Sequence, residues 1–297
     1  MEFVPLGKSG LTSSVIGLGG GSSGRFGLTK GGTRTDAIRL IGTALDLGIT
    51  FFDGAGAAGG VDELLAEGLG SRRNDVLLST KVHLGPEPIG LVNSKLSNRA
   101  SALAARRLGI VCSGKTLRKR IERGLKALQT DRIDVLHLHA VTAGQYPEAA
   151  KRALPELLKM KEEGKLRAIG ITEGFLSDPH HEVLRAAVED EGWDVVMVGF
   201  NPGNRSAAGT VLPAAKRAGV GTIGMFALRG LLDSPGAEGM DPRTLSDLAY
   251  RFSRHQAGMD VVLTGTGNAE HLKQNVASVL SPALTPDEIA RLRGLSG

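Results

Sequence analysis

The feature that most constrains this chain is an eightfold alternation. Short apolar runs rich in β-branched residues lie at 15–18, 50–53, 77–81, 135–139, 169–171, 195–198, 221–225 and 261–264. Longer stretches with helical spacing lie between and after them, at 36–47, 61–69, 116–128, 149–163, 181–189, 211–218, 244–252 and 269–280. In the first of these, Ile41, Ala44 and Leu45 fall on one helix face, and Asp36 puts an acid in the first turn. Several stretches stop at glycine just before the next strand, as in Leu47-Gly48-Ile49, Glu163-Gly164-Lys165 and Ala218-Gly219-Val220. Glycine takes the left-handed cap conformation there without a steric penalty. Strands that are apolar throughout and joined by helical crossovers read as a parallel sheet covered on both faces. Eight such units in about 280 residues fit a (β/α)8 TIM barrel better than an open doubly wound sheet.

No linker, composition break or low-complexity tract interrupts residues 1–297, so a single barrel domain is expected. Ahead of the first barrel strand, 3–6 and 11–13 flank Gly7-Lys8-Ser9-Gly10, which predicts an N-terminal β-hairpin capping the bottom of the barrel. The longest irregular piece is 82–113, after the third barrel strand. In a barrel it lies at the C-terminal face, where active sites are built.

Composition excludes several classes. One cysteine, Cys112, makes no disulfide framework and cannot by itself assemble a structural zinc site, so no metal is expected. No apolar run approaches the roughly 18 residues of a membrane helix. The start, Met1-Glu2-Phe3-Val4-Pro5, lacks the basic and apolar segments of a secretory signal, which makes the cytoplasm the expected compartment. Glycine is abundant at 42 residues, and there are two tyrosines, Tyr146 and Tyr250.

Three local patterns invite functional readings. Gly109-Ile110-Val111-Cys112-Ser113-Gly114-Lys115-Thr116 spells a phosphate-binding loop, but the preceding residues 101–108 favour helix where that mechanism needs a strand. Ser113 or Thr116 capping the next helix is the simpler reading. Gly17-Leu18-Gly19-Gly20-Gly21 lacks the third glycine of the dinucleotide fingerprint and reads as a tight turn at the barrel mouth. From Lys95 to Lys126 the chain carries a net charge of +9, leaving −4 elsewhere. No aromatic residue lies in that segment to stack on bases, so an anionic cofactor or an anionic or polar small-molecule substrate is favoured over nucleic acid.

The informative constellation sits on successive strand ends. Phe51-Phe52-Asp53 closes the second barrel strand, Ser79-Thr80-Lys81 the third and His137-Leu138-His139 the fourth. In a barrel these ends converge on one mouth, where a carboxylate, an amine and an imidazole form a proton-handling group.

With these residues in view, the sequence resembles the aldo-keto reductase superfamily over essentially its whole length. The resemblance is carried by Leu6-Gly7-Lys8-Ser9-Gly10-Leu11, Ile49-Thr50-Phe51-Phe52-Asp53-Gly54-Ala55, and Leu78-Ser79-Thr80-Lys81-Val82. It continues through the segment from Leu128 to His139, Glu163-Gly164-Lys165-Leu166-Arg167-Ala168-Ile169-Gly170-Ile171, and Leu263-Thr264-Gly265-Thr266-Gly267-Asn268. Members of that superfamily are (β/α)8 barrels that bind NAD(P)H at the C-terminal face and reduce carbonyls with an Asp, Tyr, Lys and His tetrad. The resemblance implies Asp53, Lys81 and His139 as tetrad members. The tyrosine position is Ala58, followed by Gly59.

Around the nicotinamide, the superfamily's Ser-Asn reads Thr172-Glu173, its Gln reads Met197, and its aromatic segment reads Met225-Phe226-Ala227-Leu228. The resemblance implies Thr172 and Phe226 at the nicotinamide, Gly265, Thr266 and Gly267 at phosphate, and Gln274 and Asn275 at adenine, for either NADP or NAD. Tyr146, in the loop after the fourth strand, is a candidate substitute phenol. The expected activity is NAD(P)(H)-dependent carbonyl or alcohol chemistry with an altered tetrad. The alternatives are non-redox or redox-neutral proton transfer (a lyase or isomerase) and a non-catalytic binding protein.

Overall fold

The structure, a computed structural model, describes residues 1–21, 24–56, 60–85, 105 and 108–293. The first two strands, β1 (Phe3–Pro5) and β2 (Thr12–Ser14), pair antiparallel as the expected hairpin. The remaining strands are β3 (Ile16–Gly19), β4 (Phe51–Asp53), β5 (Leu77–Val82), β6 (Ile133–Val141), β7 (Leu166–Glu173), β8 (Val195–Gly199), β9 (Gly221–Met225) and β10 (Val261–Thr264). They close into one parallel barrel in sequence order, with β10 pairing back onto β3.

The helices between them are α1 (Arg34–Asp46), α2 (Val61–Leu69), α3 (Gly114–Ala127), α4 (Leu154–Glu162), α5 (Glu182–Glu189), α6 (Val211–Ala218), α7 (Pro242–Arg254) and α8 (Ala269–Leu280). The stretch expected as one helix over 149–163 starts instead as a π-helical turn, Ala149–Ala153, before α4. Pro155 explains this: it has no N–H to give, and its ring would strike the carbonyl four residues back in a regular helix. A further helix, α9 (Pro286–Arg293), follows the barrel. Its start is marked by Thr285 and Glu288, which exchange backbone and side-chain hydrogen bonds in a capping box around Pro286.

Two apolar layers result. Inside the barrel Phe51, Leu77, Val135, Ala168, Val195, Ile223 and Val261 pack together, and Leu6 and Leu11 of the hairpin plug the bottom. Gly7 makes that plug fit. Its φ is +54°, and a Cβ on it would lie 2.3 Å from the Gly221 nitrogen. Outside the barrel the helices bury Ile41, Leu64, Leu117, Leu157, Leu184 and Leu212 against the outward strand residues. With a side-chain period of 2, the inward set continues up β4, β5, β6 and β7 to Asp53, Lys81, His139 and Thr172.

Candidate active site at the barrel mouth

Asp53, only 3% exposed, ends β4 opposite Ser79 in register. Its Oδ1 accepts the Ser79 hydroxyl at 2.9 Å, and its Oδ2 lies 2.5 Å from Lys81 Nζ. The ammonium also donates to the Gly54 carbonyl at 2.8 Å. An ammonium has three donors, so among the described residues one N–H of Lys81 is left for a ligand. A buried carboxylate and ammonium each offset the other's desolvation, which is why the pair can sit at the end of an apolar strand layer.

His139 lies two residues further along β6 than His137, the register partner of Lys81. Thr172 Oγ1 lies 3.3 Å from its Nδ1 and accepts the Ala140 N–H at 2.8 Å. The His83 ring meets His139 edge-on with 4.7 Å between centroids. Ala140 has φ +50°, and the β6–β7 register shifts between Leu138 and Val141. The strand end that presents His139 is therefore a strained bulge, a conformation that collects at functional sites.

His137, two residues earlier, has a different fate. It is fully buried inside the barrel, and among the described residues neither ring nitrogen has a hydrogen-bond partner. A Cβ on Gly170 of the neighbouring strand would fall 2.3 Å from its Nδ1, so the glycine makes room for the ring. Burial first, then the charges of Lys81 and His139, hold its pKa well below the usual histidine value. It is a neutral imidazole below the mouth, and His139 is the histidine that faces outward.

Behind the pair, sequence reasoning missed Asp62. It lies in the first turn of α2, fully buried, and accepts the Ala55 N–H at 3.2 Å and the Thr80 hydroxyl at 2.9 Å. Burial, the largest influence, pushes its pKa up to about 6. The signal was present: Asp62, Leu65 and Leu69 share one helix face, so an acid stood in an apolar stripe.

The residues expected to hold a cofactor are spread around the same mouth. Phe226, at φ +68°, follows β9; its ring is 5.3 Å from Phe175, and the Arg229 guanidinium stands 4.5 Å from its centroid. Gly265 and Gly267 are exposed after β10, and Thr266 Oγ1 accepts the Asn268 N–H at 3.0 Å. Gly267 also touches the loop after β3, since a Cβ there would fall 2.2 Å from Gly27 Cα. Asn268 caps α8 by accepting the N–H groups of Glu270 and His271. Gln274 is half-buried on α8. Asn275 is 7% exposed; its amide donates to Thr264 at 2.8 Å and accepts the Ser246 hydroxyl at 3.2 Å, tying α8 to β10 and α7.

Three other residues have their polar atoms engaged elsewhere. Glu173 accepts the Gly199 N–H at 2.8 Å and pairs with His181 Nδ1 at 2.6 Å, so both its oxygens are taken. Tyr146 donates to Asp190 at 2.6 Å in the outer apolar layer, where burial, ahead of the Asp190 contact, pushes its pKa up. That leaves it no free hydroxyl to offer the Asp53–Lys81 pair. Tyr250 likewise gives its hydroxyl to Thr264 at 3.0 Å.

Ala58 and Gly59 lie outside the described residues, as do 86–104 and 106–107 of the basic loop. Ser113 does cap α3, accepting the Thr116 N–H at 3.2 Å. In the basic segment Arg118 pairs with Glu156 and Glu163, and Arg120 donates to the carbonyls of His83 and Gly85. Among the described residues no group of acids, histidines and cysteines could hold a metal, and no helix is long and apolar enough to cross a membrane.

Comparison with known proteins agrees with this fold. The model of the aldo/keto reductase family matches residues 15–244. The chain is 29% identical over 307 residues to L-galactose dehydrogenase of Arabidopsis thaliana, covering 94% of this chain and 88% of that protein. It is 31% identical over 238 residues to aldo-keto reductase YhdN of Bacillus subtilis (strain 168), covering 78% and 64% of the two. Among solved structures, the holo form of aldo-keto reductase AKR11C1 from Bacillus halodurans superposes with a TM-score of 0.76 at 23% identity, over 100% of this chain and 97% of that one.

Proposed function

Because the chain belongs to the aldo/keto reductase family and is an oxidoreductase, we propose that it moves a hydride between NAD(P)(H) and a carbonyl or alcohol, with Lys81 and His139 handling the charge and proton. The observation that carries this reading is the buried Asp53–Lys81 pair, 2.5 Å apart, with one ammonium N–H unused among the described residues.

The mouth suits a dinucleotide. The exposed backbone of Gly265 and Gly267 lets phosphate approach without meeting a side chain, and Arg229 adds a cation beside the Phe226 ring. Thr172, Phe226, Gly265, Thr266, Gly267 and Gln274 would line that site, with Asn275 holding α8 in place behind them. When bound, the reduced nicotinamide supplies the hydride. The substrate oxygen then gains negative charge. Lys81, paired with Asp53, donates its remaining N–H to that oxygen and stabilises it electrostatically. His139, oriented by Thr172, delivers the proton. The neutral state of His137 avoids a further positive charge next to Lys81.

The test is a fluorescence titration with NADH and NADPH, followed by a carbonyl panel on wild type, Lys81→Met and Ala58→Tyr. Binding of one nucleotide is expected. Lys81→Met should lower kcat/KM by at least about 10²-fold, the scale of a positioned proton donor. Ala58→Tyr should raise carbonyl reduction by restoring a phenol. Wild-type turnover undiminished in Lys81→Met would overturn the assignment.

A further inference from the structure

The proton chemistry above leaves the buried Asp62 unused, yet Asp62 grips the segment that follows Asp53. Its Oδ1 accepts the Ala55 N–H, and its Oδ2 accepts the Thr80 hydroxyl. The Thr80 oxygen in turn accepts the Gly56 N–H at 3.1 Å. Gly54 lies so near that a Cβ there would fall 2.3 Å from Asp62 Oδ1. Gly56, at φ +72°, passes the Lys81 carbonyl so closely that a Cβ would fall 2.5 Å from that oxygen. The same segment is tied from the barrel side: Gly54 N–H donates to the Ser79 carbonyl at 2.8 Å, and the Gly54 carbonyl accepts Lys81 Nζ. Residues 54–56 thus carry nothing larger than a methyl group, and Asp62 holds them from behind as Lys81 holds them in front.

We propose that Asp62 is a positioning residue: as a carboxylate it fixes residues 54–56, and with them the Gly54 carbonyl that aims the Lys81 ammonium, and protonation releases that hold. This rests on the reading of Lys81 as a catalytic group. The hydrogen-bond inventory explains why the charged form is needed. The Thr80 oxygen already accepts from Gly56, so its own proton goes to Asp62, and Ala55 donates to the other oxygen. A proton on either carboxyl oxygen would face a donor and displace one of these bonds. The charged groups that face Asp62 are Lys81, which favours its anion, and Asp53, which opposes it. Burial outweighs both, so the carboxyl titrates within a range where activity can be measured.

The experiment is hydrogen exchange at the Ala55 and Gly56 amides of the full chain from pH 5 to 7.5, corrected for intrinsic rates. Wild type, Asp62→Asn, Thr80→Val and Lys81→Met are compared, with pH profiles of kcat and KM on the best carbonyl substrate. In wild type, protection is expected to fall at least tenfold as the pH drops through about 6, with kcat falling in step and KM changing less. Asp62→Asn should show weak protection and low kcat without a pH step. If Asp62→Asn does not fold, Thr80→Val removes the hydroxyl linking Asp62 to Gly56 and should weaken Gly56 alone. Lys81→Met should lose turnover and keep the exchange step at Ala55 and Gly56. Full turnover in that variant would overturn the role given to Lys81, while the exchange step still judges Asp62. Protection in wild type that is flat across this range, or wild-type exchange and kcat in Asp62→Asn, would overturn the proposal.

Discussion

Asp62 and Lys81 show how one residue's stability and its use can pull in opposite directions. The folded-state pKa of Asp62, about 6, stands above the ordinary aspartate value of 3.8. The native state therefore binds more protons than the unfolded chain between those values. The stability supplied by the protonated form is complete below 3.8 and is lost as pH rises through 6. At neutral pH, holding the buried carboxylate charged costs on the order of 3 kcal/mol. Asp62→Asn should accordingly raise the unfolding midpoint at pH 7.5 and gain about half as much at pH 5, which lies midway between the two values, measured by thermal or denaturant unfolding at both. A gain in stability paired with a loss of kcat would identify the charge as kept for function. An equal gain at both pH values would sink this account.

At the scale of the element, the end of β6 is where geometry departs from a regular strand. The bulge after Leu138 and the left-handed Ala140 turn His139 toward the mouth, and Thr172 on β7 steadies both by accepting the Ala140 N–H beside the imidazole. Thr172→Val keeps the shape and removes the acceptor. It should cost about 1 kcal/mol of stability, the net worth of one part-buried hydrogen bond. It should also lower kcat more than KM, because His139 loses its alignment and the substrate keeps its other contacts. Denaturant unfolding and steady-state kinetics check the two halves. Unchanged kcat would show that β6 alone aims His139.

For the whole molecule, the N-terminal hairpin closes the bottom of the barrel. The hairpin turn does this by backbone contact, with Lys8 N–H donating to the Gly219 carbonyl at 2.7 Å and Gly7 lying against Gly221. Gly7→Ala would place a Cβ on backbone atoms that cannot swing aside, at a φ of +54°. It should destabilise the fold by about 2 kcal/mol or more, measured by denaturant unfolding. Nucleotide affinity at low temperature should be unchanged, because the hairpin lies at the opposite end of the barrel from the mouth.

Much of this molecule could be read from the order of its residues. The eight strand runs, the helices ended by Gly48, Gly164 and Gly219, the hairpin around Gly7 and the strand ends that carry Asp53, Lys81 and His139 all follow from periodicity and local backbone preference. A side-chain period of 2 names the face, a strand end names the height, and a barrel brings equal heights together. Tertiary structure alone decided which polar groups are already engaged. Tyr146 turned to Asp190, Glu173 to His181 and Gly199, and Asn275 to Thr264 and Ser246. It also set His137 below the mouth and Asp62 against residues 54–56. The physical reason is common to all of them. Periodicity reports whether a side chain is buried, but a buried polar atom is defined by its partner, and here most partners come from a different barrel strand or helix.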